Sequence, residues 1–287
     1  MKLRSWGLIA GVAMSGVVAG GSFDRVGAVT TVLYDGSSGV TPDNSPYLDF
    51  RAIGVASQIA SGGVTTLNTF DPNPLLSEFT FAGYGNRSNA GTLLTSTLDN
   101  SAGYTLSFKI KINSQTNTGA NGPNRAGFSV LVLGSDKKGV EIGFRDSDIF
   151  AQNSSFNAIN ATEQKSNIRT GILDTLTTYD LKVTGSGYTL TIGSNPNQSF
   201  SGLLKDYSAA AITPLTQVYN TADVIFFGDN TTSAGASVDI QNITLNTNAA
   251  AVPEPSSLLG MGLAIGFGAT LKRKLGKTDR SITKLLK

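Results

Sequence analysis

Tyr104-Thr105-Leu106-Ser107-Phe108-Lys109-Ile110-Lys111-Ile112 puts an apolar side chain at every second position and a polar one between each pair. Successive side chains of an extended chain point to opposite faces, so this period of two predicts a strand with one face in a core and the other in water. A helix would need a period near 3.6, and no stretch of the body sustains one.

The same alternation recurs outward from this strand. Tyr179 to Thr184 and Tyr188 to Ile192 flank Gly185-Ser186-Gly187, which predicts a hairpin closed by a short glycine turn. Phe128 to Leu133 is more continuously apolar and suits a central strand, whereas Val140-Glu141-Ile142-Gly143-Phe144 alternates again after a turn around Lys137-Lys138-Gly139. Val238 and Ile240 are out of phase with Ile243 and Leu245, so an extra residue at Gln241-Asn242 predicts a β-bulge. Glycine, asparagine, serine and threonine fill the connections, notably Gly119 to Arg125, Asn153 to Asn160 and Asp229 to Gly235. Many short strands joined in this way predict an all-β fold, an antiparallel sandwich or jelly roll. The strand order from Tyr104 to the closing Ser237–Leu245 resembles the concanavalin-like and laminin-G-like jelly rolls. The opening Thr31-Val32-Leu33-Tyr34-Asp35-Gly36 resembles the start of the choice-of-anchor domains that accompany bacterial sorting signals, a likeness that implies anchoring and no particular chemistry.

Absences narrow the chemistry. The 287 residues include no histidine and no cysteine. Ser-His-Asp and Cys-His arrangements are therefore excluded, as are imidazole and thiolate metal sites and a disulfide framework. Paired carboxylates of the kind used in glycoside hydrolysis remain. The exported body holds three glutamates before the C-terminal region, Glu78, Glu141 and Glu163. Jelly-roll glycosidases resembling laminarinases set acidic residues at alternate positions of one strand, but here Glu141 is followed at those positions by Gly143 and Arg145. The partner carboxylates are missing, and the expectation is a protein that is not an enzyme.

Asp146, Asp148 and Asp229, with Asn153 and Asn230, are candidate oxygen ligands for calcium, although the competing reading of such residues is a solvated turn. Sugar binding is the other class open to this fold, since sugar faces stack on aromatic rings. The one tryptophan, Trp6, falls in the N-terminal leader, leaving Tyr34, Tyr47, Tyr84, Tyr207 and Tyr219 outside the clearest alternating strands as candidates.

Both ends of the chain read as trafficking signals. Lys2 and Arg4 precede the apolar run Trp6 to Ala19, and Val26-Gly27-Ala28 supplies small residues for signal peptidase, so residues 1–28 are expected to be a signal peptide and 29–248 the β-sandwich domain. Residues 249–287 form the third region. There Val252-Pro253-Glu254-Pro255-Ser256-Ser257 runs into the apolar Leu258 to Leu271, then into Lys272-Arg273-Lys274 and a tail to Lys287. This order resembles the PEP-CTERM sorting domain of exported bacterial proteins. The resemblance implies recognition by an exosortase-type membrane enzyme, with Val252, Pro253, Glu254 and Pro255 as the signal and Lys272, Arg273 and Lys274 flanking the membrane on its cytoplasmic side. Fourteen residues fall short of the roughly 20 that span a bilayer, which suits a transient span that is later processed.

Between Val29 and Val252 there are 12 lysines and arginines against 17 aspartates and glutamates, a net charge of −5, although the whole chain is +2. The basic excess thus belongs to the targeting segments, and the body has no electrostatic reason to bind nucleic acid. The expected protein is an exported, non-enzymatic β-sandwich of the cell surface or extracellular matrix. Its alternatives are a carbohydrate-binding, calcium-dependent module that contacts extracellular polysaccharide, and a glycoside hydrolase using paired carboxylates.

Overall fold

The computed structural model describes residues 28–70, 81–117, 124–155, 161–193, 195–207, 217–231 and 233–248. The expected signal peptide up to Gly27, the sorting region from 249 onward, Glu78 and most of the loop from Gly119 lie outside the described residues. The described residues form sixteen strands in two eight-stranded antiparallel sheets. The fold is thus the antiparallel sandwich that the alternation predicts.

The first sheet runs from β13 (Asn195–Leu203) through β12 (Gly187–Ile192), β11 (Thr177–Thr184), β6 (Tyr104–Thr116), β16 (Gly235–Thr247) and β4 (Val64–Asn68) to β3 (Ser57–Ser61). One edge of β16 serves two strands in succession: Ser237 to Ile240 pair with β4, and Asn242 to Thr247 pair with β1 (Val29–Asp35). The change of partner falls at Gln241, which is also the bulge, since Ile240 opposes Ile110 and Asn242 opposes Lys109 with nothing opposite Gln241. The extra residue restores the inward phase, so Val238 and Ile240 on one side and Ile243 and Leu245 on the other all reach the core. Gly36 is wedged into this junction. A Cβ there would lie 2.2 Å from the Gly63 carbonyl oxygen and 3.0 Å from that of Gln241.

The second sheet runs from β10 (Gln164–Ser166) through β9 (Asp148–Ala151), β8 (Lys138–Phe144), β7 (Phe128–Leu133), β15 (Val224–Asp229) and β5 (Phe81–Gly85) to β2 (Asp49–Ile53). The two-residue β14 (Lys205–Asp206) pairs beside β8. The predicted hairpin is β11–β12, closed between Thr184 and Gly187 with Gly185 at φ +61°.

The core lies between the sheets. On β6 the predicted alternation holds residue by residue, with Tyr104, Leu106, Phe108, Ile110 and Ile112 all buried. Phe108 joins the layers: its ring stacks on Tyr179 of its own sheet at 5.4 Å and meets Phe227 and Phe144 of the other edge-on at 5.5 and 6.0 Å. β7 and β15 differ from β6 in being buried on both faces. Something therefore covers the outer face of the second sheet.

Candidate functional site

The outer faces of the two sheets differ in kind. On the first sheet, Ser107 donates to Asp180 Oδ1 at 2.5 Å, and Thr66 and Asn113 donate to Asp239 Oδ1 at 2.7 and 2.8 Å. These polar side chains form a half-solvated cross-strand surface of the usual kind. On the second sheet, Phe81, Leu131 and Phe226 instead pack with Tyr207 and Tyr219 in a second apolar cluster.

A buried polar network lies against that cluster. Val140 and Ile142 point into the core, so Glu141 between them must project from the opposite face of β8. Its carboxylate has no solvent exposure. Oε2 accepts a 2.7 Å hydrogen bond from the Tyr219 hydroxyl, and Oε1 lies 3.6 Å from Arg125 Nη2. Arg125 Nη2 also donates to the backbone and side-chain oxygens of Asn230, at 3.1 and 3.0 Å, and Asn230 Nδ2 donates to the Tyr219 hydroxyl at 2.6 Å. Tyr207 fills a break in the ladder. β9 and β14 share one edge of β8, and between them the Tyr207 hydroxyl accepts from the Glu141 N–H at 3.2 Å and donates to the Gln152 carbonyl at 2.9 Å.

The surroundings of the two phenols and the guanidinium shift their proton affinities upward. Burial first, and then the Glu141 carboxylate, raise the Tyr207 and Tyr219 phenols well above their ordinary value, so both remain donors at neutral pH. Burial alone would lower the Arg125 guanidinium, but Glu141 and Tyr219 outweigh it and the net shift is upward. Asp229 is also fully buried. Its Oδ1 accepts from the Thr231 N–H at 3.0 Å, while Oδ2 has no hydrogen-bond partner among the described residues. Burial outweighs the lowering effects of the Thr231 N–H, the Thr69 hydroxyl and the Arg125 charge, and raises the Asp229 carboxyl well above its ordinary value.

The sequence-predicted ligands have separate engagements. Asp146 is exposed and pairs with Arg169 at 3.2 Å. Asp148 is buried, accepts from Arg145 Nε at 2.7 Å and from Gln164, and lies beside the Arg145 guanidinium that covers the Phe150 ring. Among the described residues, no group of three or more Asp or Glu is placed to hold a metal ion. The tyrosines considered for sugar stacking are mostly core residues: Tyr34, Tyr84, Tyr207 and Tyr219 are at most 3% exposed, and Tyr47 is half-buried. The hydroxyls of the four core tyrosines find protein partners, as with Tyr34 on Thr65 at 2.8 Å and Tyr84 on Gln58 at 2.6 Å.

Sequence reasoning missed Arg125 and Tyr219 as partners of Glu141. One signal was present, because a strand apolar on both faces, Phe128 to Leu133, implies a neighbour whose outward residues are also covered. A covered glutamate then needs a cation and donors.

Toward the β2 edge, the same face opens into a cleft of about 180 Å³. Its apolar wall is the stacked pair Phe81 and Phe226, with ring centroids 5.6 Å apart, and Arg51 and Arg87 contribute its charge.

Comparison with solved structures finds other β proteins at low identity. A conserved carbohydrate esterase from Shiga toxin-encoding bacteriophage phi24B aligns at 14% identity over 77% of this chain and 100% of its own, with a TM-score of 0.47. The exoplasmic/lumenal domain of VIP36, in its Ca2+/Man3GlcNAc-bound form, aligns at 11% identity over 79% and 91%, with a TM-score of 0.41. Alginate lyase A1-II′, a member of polysaccharide lyase family 7, aligns at 14% identity over 79% and 96%, also with a TM-score of 0.41. Likeness at this level carries no chemistry from those proteins to this one. No curated protein matches the chain. Among the described residues no helix is long and apolar enough to cross a membrane. Residues 251–274 match the PEP-CTERM protein-sorting motif, so the chain carries the sorting signal of exported, surface-associated bacterial proteins that an exosortase-type enzyme handles.

Proposed function

We propose that the sandwich domain, once exported, works at the cell surface by non-covalent contact with extracellular material and does not turn a substrate over. The observation that carries this reading is the burial of Glu141. A general acid or base must come within hydrogen-bonding reach of the proton it transfers. Glu141 is instead sealed beneath Tyr219, held by Arg125, and without solvent exposure. Its charge serves the fold, joining β8 to the stretches that carry Arg125, Tyr219 and Asn230. The polar outer face of the first sheet and the open cleft on the second remain as contact surfaces.

The test is a turnover assay on the exported protein with envelope polysaccharides, reading new reducing ends and released ester acids, alongside a Glu141→Gln variant. The expected result is no product above a blank without protein. Product release above the blank would overturn the reading, and its loss in a folded Glu141→Gln variant would assign the turnover to Glu141.

A further inference from the structure

The cleft between β2, β5 and β15 combines features that a closed, purely structural surface does not need. Arg51 on β2 and Arg87 just after β5 both line it, and neither forms an ion pair with any carboxylate among the described residues. Asp49, two residues before Arg51 on the same face of β2, pairs with neither. Backbone carbonyls hold both side chains in place. Arg51 Nη2 donates to the carbonyls of Arg87 and Ser88; Arg87 donates from Nη1 to Gly91 at 3.0 Å and from Nη2 to Ala222. These contacts fix the guanidinium groups without cancelling their charge, and Arg87 Nε is buried with no acceptor. The remaining wall is apolar, formed by Phe81 and Phe226 with Val218.

We propose that this cleft binds a uronic acid residue of an extracellular polysaccharide, with the carboxylate toward Arg51 and Arg87 and a C–H edge of the pyranose ring against the narrow apolar floor where Phe81 and Phe226, 6% and 4% exposed, reach the cleft. Arginine is suited to the anionic half because its planar fork matches a carboxylate, and the apolar floor suits a C–H edge of the ring. Size sets the ligand class. At about 180 Å³ the cleft is smaller than the roughly 300–1,000 Å³ of sites for drug-sized ligands, so it takes one ring at a time. Gly85 keeps it open. A Cβ at Gly85 would meet a single neighbour within 4 Å, the Ile225 carbonyl oxygen at 3.7 Å, so a side chain placed there has room to project into the cleft.

This inference rests on the non-catalytic reading above, and the two fail in different ways. The experiment titrates the full exported protein with glucuronate, galacturonate and mannuronate, with glucose as a neutral ring and acetate as a bare carboxylate, and follows binding by calorimetry. Arg51→Met removes the exposed charge, and Gly85→Leu fills the space without touching a charge. The expected result is saturable binding of at least one uronate, with no binding of glucose. Arg51→Met should weaken that binding about tenfold or more, the worth of a charge-assisted hydrogen bond. Gly85→Leu should abolish it at an unchanged melting temperature. Failure of all three uronates, binding that survives Gly85→Leu, or acetate binding as tightly as the uronates would each overturn the proposal. Cleavage of a uronate polymer in the same samples would instead contradict the non-catalytic reading.

Discussion

The Tyr219 hydroxyl donates to Glu141 Oε2 at 2.7 Å across 78 residues of sequence, and both side chains are buried to within 1% of completely. Removing this one oxygen strands two groups, because the Tyr219 hydroxyl also accepts from Asn230 Nδ2. Tyr219→Phe is therefore expected to lower unfolding free energy by about 1–3 kcal/mol, the cost of buried polar groups left unpaired. Chemical denaturation at neutral pH measures this, and an unchanged midpoint would mean that the network carries no strain on loss.

Glu141 and Arg125 are worth more as a pair than either is alone. Glu141→Ala leaves the Arg125 guanidinium buried with its opposing charge gone, and should cost about 3–5 kcal/mol. The double variant Arg125→Met/Glu141→Leu removes both charges and should recover most of that loss. Comparing the three melting curves tests whether the pair acts as one unit.

Asp229 should give stability a pH dependence of definite sign. Its carboxyl is raised in the folded state above the ordinary 3.8, so the native protein holds a proton that the unfolded chain gives up. The contribution is complete below the unfolded value and is lost as pH rises from there through the folded value. Asp229→Asn keeps an oxygen for the Thr231 N–H and removes the titration, so its stability should decline less than that of the unsubstituted protein as pH rises above about 4. Denaturant midpoints across a pH series would show the two curves converging at acid pH.

Two glycines of β5 should respond unequally to the same substitution. At Gly83 a Cβ would lie 2.3 Å from the Phe227 carbonyl oxygen and 2.6 Å from the Phe226 ring, so Gly83→Ala forces β5 and β15 apart. Overpacking of this kind costs about 1–3 kcal/mol or more. Gly85→Ala meets only an ordinary 3.7 Å contact and should leave the melting temperature close to that of the parent protein.

The sandwich was legible because its signals are local. Alternation in β6 named all five of its core residues, and the phase change between Ile240 and Ile243 placed the bulge at Gln241-Asn242, which the pairing narrows to Gln241. What was not legible depends on long-range pairing. That Tyr207 and Tyr219 are core residues follows from their covering the second sheet, and nothing within a few positions of either reports it. Glu141 looked like a glutamate lacking carboxylate partners, whereas its partners are Arg125 and Tyr219, brought in from either side of the chain. Arg51 and Arg87 carried no motif at all; their significance comes from register, since pairing of β2 with β5 places them at one cleft. The sorting signal was legible for the opposite reason, being a contiguous address read without the fold.

The most direct test follows the full chain in cells, comparing it with a variant in which Pro253, Glu254 and Pro255 are replaced by alanine. Cells are separated into cytoplasm, membrane and surface polymer, and the sandwich domain is detected with an antibody. The account predicts that the domain of the unaltered chain co-fractionates with surface polymer and is cut by protease added to intact cells, while the variant accumulates in the membrane at its unprocessed size. A domain found in the cytoplasm, or surface recovery that is the same with and without the Pro-Glu-Pro sequence, would contradict it.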